Sequence, residues 1–206
     1  NGYDHILIDK IKSEKSSNYF HIVYTGLLTK NHPYDSLLKI LKLNFNQANL
    51  KLSLAGNISG EIIKEIKTFL PNVKVNDCGY LNHEESVRLI KSADLLVNFF
   101  FIGAEKEMIS GKIMEYLATE IPILSIGDPK SEAGKILSKG TETKMYQRNS
   151  NKQIENFINK VILKKGKLTN KFPNLEKWSR KNITKKLSET LVNLWFSEKF
   201  IFNDIF

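Results

Sequence analysis

The sequence predicts an α/β fold: an open parallel sheet with helices on both faces, followed by a C-terminal helix. Three observations carry this. Short β-rich apolar runs alternate with helical patterns across residues 19–163. Runs such as DLLVNFFF are almost continuously apolar, as strands covered on both faces are. Several strand-like runs end on glycine, the residue that lets a loop turn tightly above a strand.

Taken in order, FHIVYTG (20–26) reads as the first strand, and PYDSLLKILKL (33–43) as a helix with Leu37, Leu38 and Leu41 on one face. LKLSLAG (50–56) alternates like a strand. SGEIIKEIKTFL is a helix with Ser59 as its N-cap. NVKVNDCG is a short strand. NHEESVRLIKSA opens with Asn82 and, three residues on, Glu85, a near capping box. DLLVNFFF is a buried strand, GKIMEYLATE a helix, IPILSIG a strand, SEAGKILSKG a helix, TKMYQ a short strand and NKQIENFINKVIL a helix. The basic segment KKGKLTNKF links these to a long helix over residues 174–196. Trp178, Ile183, Leu187, Leu191 and Leu194 form its apolar stripe, expected to pack on the sheet or on a further domain outside this chain, with Lys177, Lys181 and Lys185 opposite.

The 206 residues, 41% hydrophobic, suffice for a sizeable core. Cys78 is the single cysteine, so no intrachain disulfide forms and a reducing, cytoplasmic setting is expected. No apolar run reaches transmembrane length. The chain opens NGYDHILID without an initiator Met and is expected to be cut from a longer protein. The net charge of +9 is uneven: residues 138–186 hold fourteen Lys and Arg against three Glu, an excess of eleven. That surface is either simply solvated or meets anionic lipid or an acidic partner. Nucleic acid is not expected, because Arg is scarce and the aromatics are not interleaved with it. His5, His21, His32 and His83 are dispersed, so no metal cluster is expected.

Ligands of open parallel sheets bind beyond the carboxyl ends of the strands. Five loops lie there: TGLLTKNHP, AGNISGE, CGYLNHEE, FFIGAEKEMISGK and IGDPKSE. None contains G-x-G-x-x-G or a P-loop, which removes both dinucleotide and Walker-type phosphate fingerprints. What remains is the helix N-terminus at Ser110, Gly111 and Lys112, which offers free N–H groups, a positive dipole end and a cation to a phosphate. Glu115, one turn on, leans back toward that end and can reach a hydroxyl beside a bound phosphate, as in the ribose of a nucleoside diphosphate.

SADLLVNFFF, a loop, then SGKIMEYLATEIPIL, with seven residues between Glu107 and Glu115, resembles the strand–loop–helix–strand run of the retaining GT-B glycosyltransferases, family four or group 1. YTGLLTKNHP, LKLSLAG and VNDCGYLNHEESVRLIKSAD resemble the preceding segments in order, NGYD the interdomain linker, and WSRKNITKKLSETL the terminal helix. The resemblance implies a Rossmann-like domain that is one half of a GT-B fold. It divides the chain into a linker remnant (1–18), a donor-binding domain (19–168) and a helical extension (169–206). It implies transfer of a sugar from a nucleoside diphosphate to an acceptor with retention, without metal or other cofactor, in bacterial envelope polysaccharide or glycoconjugate synthesis.

By the same resemblance Glu115 binds ribose, Glu107 holds the transferred sugar, and the amides of Gly111, Lys112 and Ile113 take the distal phosphate. Gly26 admits the diphosphate, Lys30 neutralises it, and Tyr80 and Leu81 border the base. Catalysis would rest on Glu107 and on Lys112, which meets charge on the leaving diphosphate. Two departures stand out: Ser110 occupies the family's usual glycine position, with Gly111 following, and the first loop has only Lys30 and His32 as basic residues. Glu105 competes with Glu107 for the sugar. The acceptor site belongs to an N-terminal domain outside this chain, so the chain alone is expected to be inactive. Peripheral contact with an anionic membrane is expected. Another sugar-nucleotide enzyme of Rossmann type, such as an epimerase, and a non-catalytic nucleotide-binding scaffold are the alternatives.

Overall fold

The computed structural model describes residues 2–12, 15, 18–45, 49–103 and 106–203, with side chains as far as residue 195. Glu105 therefore lies outside the described residues. Six strands form one parallel sheet: β1 (Phe20–Thr25), β2 (Leu50–Ala55), β3 (Lys74–Asp77), β4 (Leu95–Phe99), β5 (Ile123–Ile126) and β6 (Thr143–Tyr146). Their order is β3-β2-β1-β4-β5-β6. The chain builds outward from β1 in one direction, then returns to its other side with β4.

Burial follows from that order. The inner strands β1, β4 and β5 are buried at every position, which is why their sequences are mostly apolar, with His21, Thr25, Asn98 and Ser125 as buried polar residues among them. The edge strand β3 is open along its length, and Lys144 of the other edge, β6, is exposed. On one face, Ile22, Tyr24, Leu52, Val97 and Leu124 pack under helices α2 (Tyr34–Asn44), α3 (Gly60–Phe69) and α7 (Asn151–Leu163). On the other, Val23, Leu96 and Ile123 pack under α1 (His5–Lys10), α4 (His83–Lys91), α5 (Gly111–Ala118) and α6 (Glu132–Leu137). Each fully buried aliphatic side chain in these layers contributes about 1.5–3 kcal/mol.

Local chemistry sets the helix starts. Ser59, Asn82 and Ser131 each accept from a first-turn N–H, and Asn82 with Glu85 completes the capping box. Residues 5–10, upstream of the first strand, are helical: Asp4 caps α1, and Ile8 and Ile11 are buried against the second layer.

The C-terminal region departs from expectation. No helix begins at residue 174, because Asn174 is left-handed (φ 53°). A 3-10 turn, Leu175–Trp178, follows it, and α8 (Arg180–Asn203) starts after Ser179, whose hydroxyl accepts from the Asn182 N–H. Trp178 packs against the second layer, but the stripe beyond it is not core: Leu187 and Leu191 are each 58% exposed. Cys78 is half-buried, and burial pushes its thiol pKa up. Among the described residues no helix is long and apolar enough to cross a membrane.

Candidate functional site

The side on which strands are added switches between β1 and β4, and it is beyond the carboxyl ends of the strands at such a switch point that open parallel sheets have their ligand crevice. The loop after β1 starts at Gly26 (φ 118°) and the loop after β2 at Gly56 (φ 121°). The two backbones touch: a Cβ on Gly56 would meet the Gly26 carbonyl oxygen at 2.3 Å. The Gly56 N–H in turn donates to the Gly79 carbonyl (2.7 Å), which ties in the loop after β3. Close layering of these loops is why glycine stands at the strand ends.

Helix α5 closes the crevice from the β4 side. The Tyr116 hydroxyl accepts from the Thr25 N–H (2.9 Å), which fixes the helix on the end of β1. Lys112 then points inward: its ammonium lies 4.2 Å from the Tyr24 ring centroid and donates to the Tyr24 hydroxyl (3.1 Å). A Cβ on Gly26 would sit 2.9 Å from the same nitrogen. Burial lowers the Lys112 pKa to about 7. His32 belongs to this charge environment. Its pKa is lowered by burial and then by Lys112, and its Nδ1 accepts from the Thr29 N–H (3.1 Å).

Gly26, Ser110, Gly111 and Lys112 are thus brought together. Ser110 is the N-cap residue of α5 but makes no side-chain capping bond. Among the described residues the Gly111 and Lys112 N–H groups are unpaired, whereas that of Ile113 donates to the Ser110 carbonyl (3.1 Å). The tight first turn therefore engages one of the three amides expected to hold phosphate. Glu115, one turn along, has a largely buried side chain whose Oε1 accepts from His83 Nε2 (2.7 Å) and lies 3.6 Å from an Arg180 guanidinium nitrogen.

Lys30 and Glu107 are exposed on their loops, and no contact among the described residues ties either to Lys112 or Glu115. Tyr80 is 88% exposed and Leu81 half-buried, in the stretch that leads into His83. Beside the crevice, beyond β4, β5 and β6, lies a cavity of about 280 Å³ lined by Pro33, Phe100, Ile102, Lys106, Asp128 and Arg148. No three His, Cys, Asp or Glu among the described residues converge as a metal site.

Sequence reasoning missed Tyr24, His83 and Arg180. Tyr24 reads as a strand residue, and the 32 residues from His83 to Glu115 and 65 from Glu115 to Arg180 carry no pattern that would join them. The one available signal for His83 was its place directly after the Asn82 cap, in a loop already expected to border a base.

No protein-family model and no curated protein sequence matches the chain. Its fold does match solved structures. HepE of Anabaena, crystallised with UDP, aligns over 94% of this chain and 56% of its own, with 18% identity and a TM-score of 0.69. The catalytic domain of cholesterol-α-glucosyltransferase from Helicobacter pylori aligns over 81% of this chain and 98% of its own, at 18% identity and a TM-score of 0.57. The lipopolysaccharide outer core galactosyltransferase WaaB aligns over 88% and 51%, at 13% identity and a TM-score of 0.59. The chain spans little more than half the length of HepE. At these identities the likeness concerns the fold: the chain is a Rossmann-like α/β domain with the architecture of one half of a GT-B glycosyltransferase.

Proposed function

We propose that this chain is the nucleotide-sugar donor-binding domain of a glycosyltransferase. The observation that carries the reading is the convergence of Gly26, Lys112, the α5 N-terminus and Glu115 at the point where the sheet order reverses. The site has two free amides and a cation for a diphosphate, and a carboxylate one turn behind them for a ribose. Structures of HepE with UDP, with UDP and glucose, and with UDP-glucose support the ligand class.

In this reading the diphosphate lies across Gly26 and the Gly111 and Lys112 amides. As the bond from sugar to phosphate breaks, negative charge grows on the leaving diphosphate. Lys112 swings from Tyr24 or holds its place beside Gly26 to meet that charge, and the α5 dipole adds to it. Lys30 is within the same loop system and supplies a second cation once that loop folds over the ligand. Tyr80 and Leu81 border the base. Glu107, exposed beside the 280 Å³ cavity's Lys106, is the group offered to the transferred sugar.

Transfer with retention and without metal, and a role in envelope polysaccharide or glycoconjugate synthesis, belong to the same proposal. So does an N-terminal acceptor domain that completes the cleft, without which the chain binds donor but does not transfer. The protein acts in the cytoplasm, with its basic surface toward an anionic membrane.

Thermal-shift measurement with UDP, GDP and their sugar esters tests this. One of them is expected to raise Tm, and Glu115→Ala to abolish the shift, since loss of a charged hydrogen bond to ribose costs about 1.5–3 kcal/mol. Equal binding by Glu115→Ala would show the site assignment wrong, and a shift with NAD alone would favour the epimerase alternative.

A further inference from the structure

We infer that His83 and Arg180 are positioning residues that hold the Glu115 carboxylate for a ribose, which makes the start of α8 part of the donor site. This rests on the nucleotide-binding reading above. Two donors from distant parts of the chain converge on one atom: His83 Nε2 at 2.7 Å and an Arg180 guanidinium nitrogen at 3.6 Å both address Oε1 of Glu115. Among the described residues, no hydrogen bond or ion pair engages Oε2. A carboxylate only accepts, so the proton of the shared bond sits on Nε2 of His83, whatever the charge of the ring.

Both donors are themselves fixed from behind. His83 is the first residue of α4, and the Asn82–Glu85 capping box sets the backbone that carries it, with bonds of 2.9 and 3.0 Å. Arg180 is clamped by the N-terminal segment: its N–H donates to the Tyr3 carbonyl (2.9 Å), its Nε donates to the Gly2 carbonyl (3.3 Å), and Tyr3 bridges to the buried Ser179. A glutamate side chain loses several rotatable bonds' worth of freedom when it is ordered on a ligand. Here that ordering precedes the ligand, and one oxygen is kept for it. A ribose presents two neighbouring hydroxyls, both able to donate to the accepting oxygens.

His83 also follows directly on Tyr80–Asn82. The loop expected to border the base and the carboxylate expected to bind the ribose are thereby joined through a single hydrogen bond. The rival account is a surface staple between α4, α5 and α8, and exposed ion pairs of that kind contribute little. The two accounts separate on the 2′-hydroxyl.

The experiment is calorimetric titration of the chain with UDP, GDP and their 2′-deoxy counterparts, for the parent, His83→Ala, His83→Gln, Arg180→Ala and Glu115→Ala. The parent is expected to prefer ribose over deoxyribose by about tenfold or more. His83→Ala should bind the ribonucleotide roughly tenfold more weakly and the deoxynucleotide unchanged, so that the preference collapses as it does in Glu115→Ala. Arg180→Ala should do the same to a smaller degree, in keeping with its longer contact. His83→Gln, which still offers an N–H at that reach, should restore most of the preference, and melting without nucleotide identifies any variant that fails to fold. An unchanged ribose preference in both alanine variants, or equal loss for both sugars, overturns the inference while leaving the donor-binding reading intact. A parent that binds none of the four nucleotides overturns both.

Discussion

Lys112 is the residue whose surroundings most alter its chemistry. Its ammonium is buried beside Tyr24, and burial lowers its pKa to about 7, against the ordinary value near 10.5. Above pH 7 the side chain in this structure is therefore mostly neutral. A diphosphate beside Gly26 favours the charged form and raises that pKa again, so binding takes up a proton. The sign follows: below pH 7 the lysine is already charged and adds no pH dependence. Above it, affinity falls as pH rises, by up to about tenfold per unit until the bound-state pKa is reached. Calorimetry of UDP binding at pH 8, in buffers of different ionisation enthalpy, should show net proton uptake in the parent and none in Lys112→Met. The pH is chosen above the titration of the nucleotide's own terminal phosphate, near 6. The same uptake in Lys112→Met would assign the proton to another group.

Elements differ in how much they depend on the core. Helix α5 is held by Ile113, Met114, Tyr116 and Leu117, all but fully buried, so its N-terminus stays aimed at the crevice. Beyond the start that carries Arg180, α8 exposes its stripe. Leu187→Gln together with Leu191→Gln should therefore change stability by no more than about 0.5 kcal/mol, because both side chains are more than half exposed. Leu117→Ala, on a residue with no exposed surface, should cost about 2–5 kcal/mol. Urea unfolding of the two variants compares them directly. A large loss in the double glutamine variant would mean that the stripe is covered in solution.

At the scale of the whole molecule, charge is the property that distinguishes this chain. Among the described residues, six of the fourteen cations in 138–186 face carboxylates: Arg148, Lys152, Lys160, Lys165, Arg180 and Lys185. Two of these pairs use the stretch's own Glu142 and Glu155, and the other four use Asp35, Asp94, Glu115 and Glu189 from outside it, so the basic excess at the surface is smaller than the eleven counted along the sequence. A lysine near an anionic leaflet contributes about 1 kcal/mol, and the attraction decays over a Debye length. Co-sedimentation should show the chain on anionic vesicles at low salt and released at roughly 0.5 M salt, with no binding to neutral vesicles. Equal binding to both vesicle types, or none to either, would leave the basic face as a solvated surface.

The sequence by itself determined the fold class and where most of its elements begin. The alternation of strand and helix is readable because burial on both faces makes β1, β4 and β5 mostly apolar, and because Ser59, Asn82 and Ser131 mark helix starts; both are signals carried by neighbouring residues. The helix start at Ser110–Lys112, with Glu115 one turn on, was legible for the same reason. The tertiary structure decided what proximity alone can decide. The order β3-β2-β1-β4-β5-β6 brings Gly26 against Lys112, 86 residues apart, and turns the lysine inward onto Tyr24. Packing of α4, α5 and Trp178 in one layer, with Arg180 tied to the Gly2 and Tyr3 carbonyls, brings His83 and Arg180 to Glu115. Left-handed Asn174 delays the start of the long helix that periodicity predicted, so that it runs from Arg180, and the absence of any sheet face for it to cover among the described residues leaves its stripe exposed. Periodicity reports which face of an element is apolar; which element lies against that face depends on strand order and packing, and these are set by contacts between residues that the chain keeps far apart.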